Sequence, residues 1–86
     1  MRITIEDTRT GKVIKMDVKE HHQIERIIDT VIKHMGIISS EQRSYSLVYN
    51  DKELPNTITI GDAKHKYGLK EGEKLALWAK VIGGMN

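Results

Sequence analysis

The residues best suited to metal or acid–base chemistry are four histidines, His21, His22, His34 and His65. His21 and His22 are adjacent in the chain, so on a helix their side chains would point in different directions. No carboxylate stands at a spacing that would complete a metal site with this pair. We therefore expect solvated or capping histidines, with no bound metal or other cofactor.

The remaining residues form no catalytic motif. The chain has no cysteine, which excludes a thiolate zinc site, a cysteine nucleophile and a disulfide framework. No other nucleophile has an adjacent base in a short motif, and the pair Gly83-Gly84 is followed by no helix that would hold a phosphate. The sequence therefore predicts that this protein is not an enzyme.

The single tryptophan indicates binding instead of catalysis. In the last apolar segment the alternation of side chains sends Trp78 outward, together with Ala76 and Lys80. Val48 points the same way from an earlier strand, so neighbouring strands would join Val48, Ala76 and Trp78 into one apolar patch, and Lys80 would complete the partner-binding surface. An exposed tryptophan beside valine is typical of a partner-binding surface. The alternative is that Trp78 only covers lysine stems or forms a weak homodimer.

Length and composition describe one small globular domain. The 86 residues are 38% hydrophobic and 30% charged, which excludes the disordered and membrane-embedded classes. A net charge of +2, from 14 basic and 12 acidic residues, is too small and too mixed to indicate a nucleic-acid partner. No apolar run approaches the ~18 residues of a membrane span, and residues 1–6 lack the apolar stretch of a signal peptide. We expect a cytoplasmic monomer without membrane contact.

The first third of the chain predicts a β-hairpin followed by a helix. Apolar residues alternate over residues 1–5 and again over 14–18, and a polar loop from Glu6 to Gly11 separates the two strands. Apolar residues then recur at positions 24, 27, 28, 31, 32 and 35, which is the stripe of an amphipathic helix over about 23–35. Gly36 stands where a left-handed C-cap is expected.

The rest of the chain predicts three more strands and one short helical turn. Tyr45, Leu47 and Tyr49 alternate, a tight turn follows at residues 50–52, and a short edge strand ends at Pro55. A single helical turn begins near Thr59 and runs towards Tyr67 and Gly68. The last strand alternates over residues 75–82. An amphipathic helix must cover a sheet, so the sequence predicts an α+β domain with one helix packed on a sheet of about five strands.

Several segments resemble ubiquitin. They are Thr10-Gly11-Lys12, the helix end Met35-Gly36-Ile37, residues 47–54 and residues 75–84. The likeness extends from Met1 to Gly84, with small insertions after Gly36 and after Asp62. It implies a mixed-sheet β-grasp fold whose first and last strands are parallel and central, over residues 1–82, followed by a flexible diglycine tail at residues 83–86.

The resemblance implies a small protein modifier, of the prokaryotic ubiquitin-like type. In such modifiers the terminal glycine carboxylate reacts with ATP on an activating enzyme, passes to a cysteine as a thioester and ends on an amine. Gly84 would supply that carboxylate, and Gly83 and Gly84, which lack Cβ atoms, would pass through a narrow enzyme cleft. A peptidase would first cut between Gly84 and Met85. The resemblance suggests a zinc-dependent peptidase of the JAMM class, with activating enzymes, conjugating enzymes and target proteins as further partners.

Individual positions carry further implications of the resemblance. Val48 and Trp78 stand where ubiquitin has two residues of its recognition patch, whereas Arg9 replaces the leucine that completes it. Lys80 and Ile82 stand where ubiquitin has arginines, which implies cognate enzymes distinct from those of ubiquitin. Lys12 and Lys52 match positions at which ubiquitin builds chains; exposed lysines at turns are otherwise ordinary.

Two other functions fit the same fold. The first is a ubiquitin-fold adaptor that is never conjugated, and many such adaptors lack a terminal diglycine. The second is a sulfur carrier that forms a thiocarboxylate on its last glycine. Sulfur carriers normally end at the diglycine, so Met85-Asn86 counts against that reading. A tail with no function is the remaining alternative, because chain ends are often small and polar.

Overall fold

The computed structural model describes residues 1–37 and 43–81. Within these two ranges the chain forms five strands and two helices. In chain order they are β1 (Arg2–Asp7), β2 (Val13–Asp17), α1 (Ile24–Met35), β3 (Arg43–Tyr49), β4 (Lys52–Leu54), α2 (Ile60–Tyr67) and β5 (Lys74–Val81).

The strands form one mixed sheet in the order β2-β1-β5-β3-β4. β1 and β5 are parallel, and every other pair of neighbouring strands is antiparallel. β4 lies at one edge of the sheet, where Pro55 at its end costs no ladder hydrogen bond. The α+β class and the β-grasp arrangement of parallel, adjacent first and last strands are both confirmed.

Helix α1 packs on one face of this sheet. Its buried side chains are Ile24, Ile27, Ile28, Val31 and Met35, which follow the predicted stripe. From the sheet, Ile3, Ile5, Leu47, Leu75 and Leu77 meet them, each with no exposed surface. Gly36 ends the helix with φ 68°, as predicted for a left-handed cap.

The start of α1 has no side-chain cap. Gln23 occupies the N-cap position without making a capping hydrogen bond. The backbone carbonyls of Ile58 and Asn56 instead accept from the N–H groups of Ile24 and Glu25, at 2.9 and 3.1 Å. A distant loop thus satisfies the helix start, which explains why the local sequence there carries no cap signal.

The first predicted loop is wrong at its start, because β1 continues through Asp7. Asp7 is only 3% exposed. Its carboxylate accepts hydrogen bonds from the backbone N–H of Arg9 at 3.1 Å and from the Thr10 hydroxyl at 2.8 Å. These local bonds replace hydration, so a polar residue is tolerated at a buried strand end.

The helical segment predicted from Thr59 towards Tyr67 and Gly68 is confirmed in its bounds, but the 8 residues of α2 make more than the predicted single turn. Thr59 and Asp62 form a capping box, with side-chain-to-backbone distances of 3.1 Å in both directions. The hydrogen bond that the backbone N–H of Thr59 donates to the Asp62 carboxylate lowers the pKa of Asp62 below its ordinary value. Gly68, with φ 79°, ends the helix. The two caps together stabilise a second turn.

Neither helix within the described ranges is long and apolar enough to cross a membrane. The division into a domain over residues 1–82 and a tail over 83–86 stays a prediction, because residues 82–86 lie outside the described residues.

Candidate functional site

Pairing of β3 with β5 brings the predicted patch residues side by side. Val48 lies opposite Ala76, and Ser46 lies opposite Trp78. Leu75 and Leu77 are buried beneath α1, so the alternating residues Ala76, Trp78 and Lys80 lie on the opposite face, called here the outer face. Val48 and Ala76 are half-buried, and Trp78 is 50% exposed.

Exposed large apolar side chains are scarce among residues 1–37 and 44–80, whose side chains the structure describes. Besides Trp78, only Val13 on β2 is exposed, at 54%. Val13 lies opposite Glu6, and Glu6 lies opposite Ala76, so one row across the outer face joins Val13 to Val48 through two intervening residues. Trp78 is therefore the main apolar contact available next to Val48 and Ala76.

Hydrogen bonds anchor the loop between β1 and β2 next to Trp78. Both the backbone N–H and the hydroxyl of Thr8 donate to the carbonyl of Leu77, at 3.2 and 2.9 Å. The following residue, Arg9, has its N–H held by Asp7 and is exposed. The loop that carries Arg9 is thus anchored next to the strand that carries Trp78.

Glu53 on β4 organises the polar border of the patch. Its carboxylate accepts from the ammonium group of Lys80 and, at 2.9 Å, from the hydroxyl of Ser46. Ser46 is only 5% exposed, so this bond satisfies a buried hydroxyl on the outer face. The hydrogen bond from Lys80, followed by that from Ser46, lowers the pKa of Glu53 below its ordinary value. Lys80 is therefore the patch residue at this polar border, where it forms an ion pair with Glu53.

The two lysines that match chain-building positions lie apart from the patch. Lys12 is exposed in the β1–β2 connection, and its Nζ donates to the carbonyl of Met35 at 3.4 Å. Lys52 is exposed at the start of β4, after a turn in which Asn50 and Asp51 have positive φ. Nothing in these surroundings distinguishes either amine chemically from other surface lysines.

The residues predicted for conjugation and processing, Gly83, Gly84 and Met85, lie outside the described residues. β5 is described as far as Val81, and the sequence reaches Gly83 two residues later. Their roles stay predictions.

Two of the histidines, His22 and His34, make hydrogen bonds with nearby backbone groups. Nδ1 of His22 accepts from the backbone N–H of Lys19 at 3.1 Å, and Nδ1 of His34 lies 3.0 Å from the carbonyl of Thr30. In the part of the chain that the structure describes, no three His, Asp or Glu side chains are placed to hold a metal ion.

Reasoning from the sequence missed Glu53, Ser46 and Thr8. Period-two alternation places Ser46 on the outer face, but its partner on β4 follows only from the register of the β3–β4 hairpin. The run Asp7-Thr8-Arg9-Thr10 did carry a signal, since aspartate followed by threonine is typical of side-chain-capped turns.

A five-stranded mixed sheet with parallel central strands, crossed by one long helix, defines a β-grasp protein of the ubiquitin-like class. No protein-family model matches the chain. Over 77 residues it is 32% identical to the NEDD8-like protein RUB1 of Saccharomyces cerevisiae, and the match covers 90% of this chain and 91% of that protein. The chain belongs to the ubiquitin-like protein family, and it is a relative of small modifiers and not of enzymes.

Proposed function

We propose that this protein is a ubiquitin-like modifier that is attached to other proteins through the carboxyl group of Gly84. One observation carries the proposal: a chain with 32% identity to the NEDD8-like protein RUB1 has Gly83-Gly84 two residues after its last strand. Two consecutive glycines allow close backbone approach, which a narrow catalytic cleft requires.

The proposed reaction sequence begins with hydrolysis, because residues follow Gly84 in the chain. A peptidase, of the JAMM zinc-dependent class by resemblance, adds water across the Gly84–Met85 peptide bond and frees the Gly84 carboxylate. That carboxylate attacks the α-phosphate of ATP on an activating enzyme and releases pyrophosphate. A cysteine thiolate then displaces AMP, and a target amine displaces the thiolate and loses one proton. The modifier itself binds no cofactor in this scheme.

The patch formed by Val48, Ala76, Trp78 and Lys80 is proposed to dock the activating and conjugating enzymes. An accessible aromatic side chain among small apolar neighbours gives contact area at little entropic cost. The Glu53–Lys80 pair at its border, together with Ile82, supports cognate enzymes distinct from those of ubiquitin. A monomer in the cytoplasm, where ATP is supplied, completes the proposal.

Intact-mass analysis in lysate of the source cell tests this function. With ATP, the full chain is expected to lose Met85-Asn86 and then to form a ladder of heavier adducts. Gly84→Ala is expected to abolish the ladder, whereas the matched variant Asn86→Ala, which keeps both glycines, is expected to retain it.

The other outcomes identify the alternatives. A mass that never changes would indicate a ubiquitin-fold adaptor and contradict the proposal. Replacement of one Gly84 carboxylate oxygen by sulfur, without adducts, would indicate a sulfur carrier.

A further inference from the structure

A shallow basin of about 590 Å³ lies where the chain begins, away from the outer-face patch. Val18 and Leu69, both at most 2% exposed, close its bottom. Lys19, Lys64, Lys70 and half-buried Met1 surround it. This N-terminal basin therefore combines an apolar wall, from Met1 and the lysine stems, with several positive charges.

The two carboxylates that line the basin are already engaged. Glu20 accepts from the ammonium group of Lys64 at 2.9 Å, and this contact lowers the pKa of Glu20. Glu71 accepts from the backbone N–H of Arg2 at 2.9 Å. Both carboxylates thus accept hydrogen bonds from other groups of the protein. Neither forms an ion pair with Lys19 or Lys70.

Other nearby acids are also engaged by the fold. Glu73 accepts from the hydroxyl of Tyr49 at 2.5 Å and from the backbone N–H of Lys70 at 3.0 Å. Asp62 belongs to the capping box of α2. Throughout residues 1–37 and 43–81, no carboxylate forms an ion pair with the exposed ammonium groups of Lys19 and Lys70.

The charged side chains that line the basin have a positive balance. They are the three lysines Lys19, Lys64 and Lys70 and the two acids Glu20 and Glu71, so cations exceed anions by one. The basin is therefore complementary to negative charge.

Its cations favour carboxylates over nucleic acid. They are ammonium groups, and no arginine side chain lines the basin, although planar guanidinium groups are the usual bidentate phosphate ligands. The Arg2 side chain is instead directed to Asp17, at 3.3 Å. An apolar wall beside ammonium groups suits a peptide that carries both an apolar side chain and carboxylates.

We propose that the N-terminal basin binds an acidic segment of a partner protein, with an apolar side chain against Met1 and flanking carboxylates on Lys19 and Lys70. β5 begins beside this end of the sheet and runs about 23 Å to Val81, at roughly 3.3 Å per residue. The basin is thus separated from the strand end that leads to Gly83, and a partner can dock there without covering that strand end.

Titration of the isotope-labelled full chain with a defined peptide tests the proposal. The probe is the capped peptide Asp-Glu-Leu-Glu-Asp, and its control is Asn-Gln-Leu-Gln-Asn. We expect the acidic peptide to shift the backbone amide resonances of residues 18–20 and 69–71, and to bind more weakly as salt rises from about 20 to about 300 mM. The neutral peptide is expected to shift none of them.

Charge reversal provides the matched comparison. Lys19→Glu with Lys70→Glu is expected to weaken binding at least about tenfold, whereas Lys15→Glu with Lys33→Glu, which has the same net charge, should change it by less than about twofold. Charge reversal could disturb the fold, so the milder pair Lys19→Gln with Lys70→Gln is measured as well. It removes the same two positive charges and is expected to weaken binding in the same direction.

Four outcomes would overturn the assignment. They are equal binding of the neutral peptide, equal loss in the Lys15 and Lys33 control, absence of shifts at these amides at millimolar peptide, and tighter binding of a single-stranded RNA oligonucleotide at the same amides. Because the purified, unattached chain is used, none of them depends on whether Gly84 is conjugated.

Discussion

Leu77 and Trp78 are consecutive residues of β5 with opposite surroundings. Leu77 has no exposed surface and packs in the core under α1, whereas Trp78 is 50% exposed on the outer face. The inner face is mainly apolar, with Asp7 at the end of β1 as a buried polar exception. The outer face carries ion pairs, such as Lys74 with Glu6 at 2.5 Å, around a small apolar patch. Stability therefore resides mainly on the inner face, and the outer face is free to serve recognition.

The largest expected effect comes from truncating the inner-face residue. Leu77→Ala should lower the free energy of unfolding by about 2–5 kcal/mol, because it removes buried methyl groups and leaves a cavity. Chemical denaturation monitored by Trp78 fluorescence measures this change. A loss below about 1 kcal/mol would place Leu77 outside the core and overturn the strand register.

Trp78→Ala should change stability little and adduct formation strongly. We expect the free energy of unfolding to fall by about 1 kcal/mol or less, since half of the side chain is already in water. The rate of ATP-dependent adduct formation in lysate should fall at least about tenfold, if Trp78 anchors the enzymes. Circular dichroism measures the stability of this variant.

Val13→Ala is the matched control, because Val13 is the other exposed large apolar residue of the outer face within the described residues. Its adduct formation should match that of the wild type. Severe unfolding of Trp78→Ala, or equal loss of adducts in both variants, would contradict a recognition role for the patch.

The smallest effect concerns the polar border of the patch. The pKa of Glu53 is lower in the folded protein than its ordinary value of 4.5, so its ion pair stabilises the fold above that pH and loses this effect as pH falls through the lowered pKa. Glu53→Gln should therefore show a smaller decrease in unfolding free energy than the wild type between about pH 5 and about pH 3.

Glu25→Gln serves as the control for this pH series. Glu25 is exposed in the first turn of α1 and makes no ion pair with any described residue. It removes the same charge as Glu53→Gln without breaking an ion pair, so the difference between the pH profiles of the two variants isolates the contribution of the Glu53–Lys80 pair. Identical profiles for Glu53→Gln and the wild type would show that the ion pair does not contribute to stability.

The sequence predicted the elements whose signals are local. Three such signals are the alternation at Ile3 and Ile5, the apolar stripe of α1, and Gly36 at the helix end. Each depends only on residues that are close together in the chain. The sequence likewise predicts that Val48, Ala76 and Trp78 lie on one face, because successive side chains of a strand alternate between the two faces of a sheet.

What the sequence did not predict depends on distant partners. The start of α1 is satisfied by carbonyls of a later loop, and Ser46 is satisfied by Glu53 on another strand. Asp7 is buried because Thr10 and the Arg9 backbone replace its hydration. Lys19 and Lys70 of the N-terminal basin form no ion pair with any described residue, because the neighbouring acids are paired elsewhere in three dimensions, which composition does not reveal.

The most direct test of the central claim is to locate the bond to the target protein. Trypsin cuts after Lys80, so a target joined through Gly84 should yield branched peptides that carry Val81-Ile82-Gly83-Gly84 on a lysine side chain. Mass spectrometry of tagged protein purified from the source cell detects this remnant, and we predict that it is present and absent from the Gly84→Ala variant. Its absence from wild-type samples that contain the protein in abundance, or attachment through Asn86, would contradict the account.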